Sequence, residues 1–179
     1  MQVPRNVPIQ SISIVILIAA NILLYQTIFA PKELTVTSFE VGKGSATLVR
    51  SANGKIILID TGSDASILRA LGKKLLPWQR TIDIVLLTSA SADSAGGLPE
   101  VLNRYRVLNI VRFGGQGSKS LEAAISASVG AEAGLKQMNA TESQRLNLGD
   151  DTYIDIVISP TVPASVYISN KGTVTKLTQ

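Results

Sequence analysis

The residues whose types and spacing could do chemistry lie between positions 89 and 97, in the order Ser89-Ala90-Ser91-Ala92-Asp93-Ser94-Ala95-Gly96-Gly97. Three hydroxyls and one carboxylate fall within a few residues, directly after the apolar run 82–88. A serine acts as a nucleophile only when a neighbouring base takes its proton. The chain contains no histidine and no cysteine, so that base would have to be a lysine or a carboxylate.

A metal site is the second chemistry to consider for this segment. Zinc binds imidazole nitrogens, thiolates and carboxylate oxygens, whereas a serine hydroxyl stays protonated and neutral and is a poor ligand. Asp93 and three hydroxyls therefore do not form a useful zinc site. The sequence predicts no catalytic residue, no metal and no cofactor. A further carboxylate, Asp60, ends the apolar run 55–60, where capping or hydrogen bonding of the next loop is its expected role.

The composition fits one domain plus an appendage. The chain has 179 residues, of which 45% are hydrophobic and 4% aromatic, so the core must be aliphatic. Charged residues make up 17%, below the roughly 25% of ordinary soluble domains, and this deficit indicates a membrane segment. The net charge of +4 comes from scattered lysines and arginines, which do not define a nucleic-acid patch. Without cysteine there are no disulfides.

Hydrophobic spacing predicts the elements that must position these residues. Alternating or apolar runs predict strands over 34–39, 46–50 and 55–60, arranged as an antiparallel meander. Apolar residues at helical spacing predict helices over 67–75, 98–105 and 120–129. Residues 82–88 and 107–113 predict further strands, the first buried on both faces. A hairpin leads into a strand over 154–158, and residues 161–179 predict one strand or a tail. The result is an α/β fold with a mixed sheet.

Three segments in this order resemble the metallo-β-lactamase superfamily: VTSFEVGKGSATLV, GKIILIDTG and IDIVLLTSASADSAGGLPEVLNRY. Within it, the likeness is to the soluble domain of the ComEC-type competence channels for DNA uptake. The resemblance implies a metallo-β-lactamase-like αββα sandwich, of which this chain holds the first half, preceded by one transmembrane helix. That family places histidines at the positions of Ser89, Ser91 and Ser94, beside the aspartate that stands here as Asp93.

The resemblance therefore implies a dismantled zinc site, in which Ser89, Ser91, Asp93 and Ser94 are vestigial motif positions and Asp60 is the strand-end carboxylate. The turn that the family places near the site has also changed and reads Glu40, Lys43 and Ser45. A new Ser–Lys pair that uses Lys43 is an alternative, but simple loss of the ligands explains why all three serines fall on ligand positions.

Residues 12–30 contain no charge. As a helix of 19 residues they would be about 28 Å long, which matches the hydrocarbon core of a bilayer. We predict an uncleaved transmembrane helix over residues 11–30; a cleaved signal peptide and a buried helix are the rival interpretations. Arg5 precedes the segment, which favours a cytoplasmic amino terminus and a single-pass protein with its main domain outside.

The predicted organisation is a short segment 1–10, the transmembrane helix 11–30, a degenerate metallo-β-lactamase-like domain 33–160 and a terminal strand or tail 161–179. The function that this organisation favours is a non-catalytic membrane-anchored module, a pseudoenzyme, linked to DNA uptake. Its expected partners are the membrane and either DNA or an envelope protein. The alternatives are a residual or repurposed hydrolase, of phosphoesterase or nuclease type, that another chain completes, and a decayed fragment without function.

Overall fold

A computed structural model describes residues 9–29, 33–113, 115, 117–131, 134–149, 151–158 and 164–177. It divides the chain into two compact units, Met1–Lys32 and Glu33–Gln179. The first unit contains helix α1 (Ile9–Phe29). Within the described residues, no helix combines the length and the hydropathy that a membrane span requires. The transmembrane nature of residues 11–30 is thus not confirmed and stays a prediction.

The second unit is built on a six-stranded mixed sheet, sheet A. Its strands lie in chain order: β1 (Thr35–Val41), β2 (Gly44–Arg50), β3 (Ile56–Ile59), β4 (Thr81–Leu87), β5 (Arg106–Arg112) and β6 (Lys136–Asn139). The first three strands pair antiparallel through tight turns, as the meander prediction required. Strands β3 to β6 are parallel, because helical crossovers connect them.

The crossovers carry four helices: α2 (Ser66–Gly72), α3 (Ala92–Ala95), α4 (Leu98–Arg104) and α5 (Lys119–Ala131). A second sheet, sheet B, is antiparallel and also follows chain order: β7 (Gln144–Gly149), β8 (Thr152–Val157), β9 (Ser165–Asn170) and β10 (Thr173–Lys176). The residues after 160, predicted as one strand or a tail, thus contribute two strands to this sheet.

Two apolar clusters hold the layers together. One lies between sheet A and helices α2, α4 and α5, and contains Val85 and Leu87 of β4. The other lies between the two sheets and contains Leu86 of the same strand. Because successive side chains of a strand point to opposite faces, a strand with both faces covered needs a continuous apolar run. The predicted α/β class, the mixed sheet and the burial of β4 on both faces are confirmed.

Candidate functional site

The three serines of the 89–94 segment come together at the carboxyl end of β4. The Ser89 hydroxyl lies 2.9 Å from the Ser91 hydroxyl and donates a hydrogen bond to the Ser94 hydroxyl, also at 2.9 Å. The oxygen of Ser91 caps α3 by accepting a hydrogen bond from the backbone N–H of Ser94 at 3.3 Å. The hydroxyls therefore satisfy one another and the first turn of α3. This short helix was not predicted from the small polar residues that form it.

Asp93 lies beside the serines but does not join their network. Its side chain is exposed in the first turn of α3, and within the described residues it makes no hydrogen bond and no ion pair. Its backbone is instead closely packed, because a Cβ atom at Gly44 would lie 1.9 Å from the Asp93 carbonyl oxygen. Only glycine fits in the β1–β2 turn at this point. The turn thus contacts the segment through backbone atoms.

Asp60 fastens the end of β3 to the start of the serine segment. Its carboxylate accepts the backbone N–H of Thr88 at 2.8 Å and the Thr88 hydroxyl at 2.6 Å. Asp60 has a φ of +54°, in the left-handed region, which aspartate and asparagine tolerate better than most residues. The expected hydrogen bonding to a loop is therefore present, but the loop follows β4 rather than Asp60 itself.

Burial dominates the electrostatics of Asp60. The residue is only 8% exposed, and desolvation raises the pKa of its carboxyl from 3.8 to about 6 although the two hydrogen bonds from Thr88 act in the opposite direction. No cationic side chain is among the groups that shift this pKa. Beside it, the Thr61 backbone N–H and hydroxyl both donate to the Ser94 carbonyl, at 2.7 and 3.1 Å. Asp60 and Thr61 position the serine segment from one side.

An ion pair that was not predicted from the sequence lies on the other side of the serine segment. Arg112, at the end of β5, is 8% exposed and donates from Nη1 to Oε2 of Glu122 at 2.9 Å, with a second bond between Nη2 and Oε1. Glu122 also accepts the Gly117 N–H at 2.8 Å, and the bonds from Arg112 hold its pKa below the usual range. A Cβ at Gly117 would lie 2.4 Å from the Ala90 carbonyl oxygen.

Within the part of the chain that the structure describes, the serine segment has neither a base beside its hydroxyls nor a donor set that fits zinc. Lys43, the candidate base, is exposed, and among the described contacts its backbone N–H bonds Ser63 at 2.9 Å while no bond joins it to the three serines. Within the described residues, no cluster of three or more His, Cys, Asp or Glu side chains could hold a metal ion. The donor set does not fit zinc, because it consists of mutually bonded neutral hydroxyls and one carboxylate.

Comparisons with known proteins agree with this architecture. Residues 40–112, from β1 to the end of β5, match the sequence model of the metallo-β-lactamase superfamily. The matched stretch contains Asp60 and the whole serine segment. None of the curated proteins compared with this chain matches it.

Solved structures give the same class. The metallo-β-lactamase fold protein YhfI from Bacillus subtilis has 18% identity and a TM-score of 0.53, covering 81% of this chain and 62% of its own. A Cronobacter sakazakii metallo-β-lactamase with a HARLDQ motif has 18% identity and a TM-score of 0.54, covering 86% and 60%. MEM-A1, a subclass B3 metallo-β-lactamase from a soil metagenome library, has 19% identity and a TM-score of 0.51, covering 82% and 61%.

The chain is therefore a metallo-β-lactamase-fold protein. It spans between 60% and 62% of the length of these three structures. At 18% to 19% identity the likeness establishes the fold alone. The activity has to be inferred from the residues of the site.

Proposed function

We propose that this chain is a non-catalytic, membrane-anchored module that keeps the metallo-β-lactamase fold for binding rather than for hydrolysis. The observation that carries the proposal is the closed network of Ser89, Ser91 and Ser94 hydroxyls at the end of β4. These hydroxyls bond one another and cap α3, so they stabilise the segment without a metal. No base contacts them among the described residues, and a serine without a base is not activated.

Metal content tests this proposal. We expect the purified full chain, dialysed against zinc and then against buffer, to retain no stoichiometric zinc or manganese in elemental analysis, and to hydrolyse neither phosphodiester nor β-lactam substrates. The matched variant is Ser89→His/Ser91→His/Ser94→His, which adds imidazole donors beside the retained Asp93. If only the variant retained zinc, the replacement of the histidine donors by serine would explain why the wild-type chain does not bind the metal. About one zinc per wild-type chain that survives mild chelation would contradict the proposal.

The membrane anchor is supported by the first unit. Helix α1 has 21 residues and is therefore about 32 Å long. Between residues 13 and 23 its large apolar side chains are all more than half exposed, from 52% at Ile22 to 66% at Leu17. Asn21 donates its side-chain N–H to the Leu17 carbonyl at 2.9 Å, so the helix itself satisfies this polar group. An apolar helix surface of this kind is covered either by a bilayer or by other protein. We assign it to the bilayer, although no helix of the described residues combines the length and the hydropathy of a membrane span.

Carbonate extraction measures the anchoring. We expect the chain to stay with the membrane pellet in alkaline carbonate and to need detergent for release. Ile16→Lys places a charge near the middle of the segment, where insertion costs about 3 kcal/mol, and should release part of the protein. Lys176→Gln changes an exposed charge in sheet B and should not. Complete extraction of the wild-type chain by carbonate would contradict the membrane anchor. A mature protein whose amino terminus lies after residue 30 would indicate a cleaved signal peptide.

A residual or repurposed hydrolase that a second chain completes is the alternative, and it is supported by the match of residues 40–112 to the metallo-β-lactamase superfamily model. In this alternative the partner supplies the missing donors. The link to DNA uptake, for its part, rests on the resemblance of the three motif segments to ComEC-type channels. Binding of duplex DNA that weakens as the salt concentration rises would support that link, and its absence at low salt would remove it.

A further inference from the structure

The loop between α2 and β4 holds two large apolar side chains in solvent. Leu76 is 46% exposed and Trp78 is 75% exposed, and Trp78 is the only tryptophan of the chain. The loop is nevertheless well fixed. The Gln79 side chain accepts the Leu76 N–H at 2.9 Å, the Gln79 N–H donates to the Leu76 carbonyl at 2.8 Å, and Leu75 is buried in the core. The exposure of Trp78 is thus built into an ordered loop.

Basic side chains lie at the same edge of sheet A as this loop. Strands β1, β3, β4, β5 and β6 all start at the same edge of sheet A. Arg80 precedes β4, and its carbonyl accepts the backbone N–H of Arg106, the first residue of β5, at 2.8 Å. The exposed cations of this basic edge are Lys55, Lys73, Lys74, Arg80, Arg106 and Lys136. None of them forms an ion pair with another described residue.

The acidic residues of the basic edge are few. Asp83 lies within β4, is partly buried, and accepts the Ile56 N–H at 2.8 Å, so its charge is engaged inside the sheet. Glu33 is exposed beside the start of β1. Among the described residues, the cations of the edge therefore outnumber its free carboxylates, and the surface suits an anionic partner.

The chain enters the second unit at this same edge. The unit begins at Glu33, and Thr35, the first residue of β1, lines a groove together with Arg50 and Lys74. The Arg50 guanidinium donates to the Lys74 carbonyl and to the Gln79 side chain, both at 3.2 Å. The start of the domain and the Trp78 loop are thus connected through Arg50. The first residues of the second unit therefore lie at its basic edge.

We propose that the basic edge is a lipid-binding surface, on which Trp78 and Leu76 enter the headgroup region of an anionic bilayer while Lys73, Lys74 and Arg80 contact the phosphates. This inference rests on the proposed membrane anchor. Tryptophan collects at the membrane interface because its ring is apolar and its N–H is polar, and cations beside an anionic leaflet are attracted to it. Nucleic acid would account for the cations, but not for an exposed leucine on a fixed loop.

The single tryptophan makes the test direct. The full chain is reconstituted in vesicles of phosphatidylcholine alone, or of equal parts phosphatidylcholine and phosphatidylglycerol, and Trp78 fluorescence is measured with acrylamide as quencher. We expect emission at shorter wavelength and weaker quenching in the anionic vesicles. Lys73→Gln/Lys74→Gln should lower the equilibrium constant for this contact by about 25-fold, at about fivefold for each cation. Lys119→Gln/Lys176→Gln, a matched pair away from the basic edge, should not change it.

The outcomes separate this surface from the anchor. If the protein floats with both kinds of vesicle but Trp78 emission is the same in each, the membrane anchor is supported and the lipid-binding surface is overturned. Protein that floats only with anionic vesicles and is released by salt supports the surface and overturns the anchor, and protein that floats with neither overturns both. A shift of Trp78 emission with duplex DNA, and none with anionic lipid, would assign the basic edge to nucleic acid and overturn the proposal.

Discussion

Val85→Asp should unfold most of the second unit. Val85 is fully buried, pairs with Leu58 of β3 and Ile110 of β5, and belongs to the cluster beneath the helices. An unpaired buried charge costs about 3–5 kcal/mol, which is a large share of the 5–15 kcal/mol that stabilises a typical domain. We expect thermal unfolding and circular dichroism to show a large loss of melting temperature, or no folded protein.

Asp93→Asn is the matched comparison, because it also alters charge but at an exposed side chain. Surface substitutions without partners usually change stability by less than about 0.5 kcal/mol. Since the cap of α3 is Ser91 rather than Asp93, no capping bond is lost. If Asp93→Asn proved more damaging than Val85→Asp, the vestigial interpretation of the serine segment would be wrong, because Asp93 would then be holding a ligand.

Asp60 should make the domain less stable as the pH rises from 4 to 7. Its pKa is raised from 3.8 to about 6 by burial, so the folded state holds the proton more tightly than the unfolded state. The stabilisation is complete below pH 4 and is lost as the pH passes through about 6. A shift of this size corresponds to about 3 kcal/mol. Denaturant unfolding at a series of pH values measures it.

Asp60→Asn should flatten that dependence. Asparagine tolerates the positive φ. Its oxygen can accept the Thr88 N–H as Asp60 does, and its amide N–H can donate to the Thr88 hydroxyl, which reverses the direction of the second bond. Asp64 and Glu122 have lowered pKa values. Their contributions to the free energy of unfolding therefore increase as the pH rises, which is opposite to the contribution of Asp60, and they change at lower pH. An unaltered slope in Asp60→Asn would mean that other groups are responsible for the pH dependence.

The sequence predicted those strands and helices that are buried, because burial requires apolar residues at a regular spacing. Strand β4 was predicted because Val85, Leu86 and Leu87 are consecutive and both faces of sheet A are covered. Strand β6 was missed because its four residues, Lys-Gln-Met-Asn, are all exposed. An edge strand of this kind is held by backbone pairing with β5, which leaves no pattern in the side chains. The same holds for β10.

The candidate site divides in the same way. The position of Ser89, Ser91 and Ser94 directly after a buried strand was visible in the sequence, whereas the hydrogen bonds among their hydroxyls were not. The bond from Thr88 to Asp60 depends on the register of β3 against β4, and the Arg112–Glu122 pair depends on how α5 packs near the end of β5. Neither has a local signature in the chain. Tertiary packing therefore decided which polar residues support the segment.

The sequential strand order has a consequence for how the chain acquires its structure. Every strand of sheet A pairs with the strand next to it in sequence, and so does every strand of sheet B. During synthesis each new strand can pair as soon as it leaves the ribosome, because no pairing waits for a distant segment. The strand beside the serine segment, β4, meets β3 before sheet B has been made. Pulsed hydrogen exchange on arrested chains should therefore find β1 to β5 protected first, and the bond between Asn53 and the Leu148 carbonyl should form only when the two sheets come together.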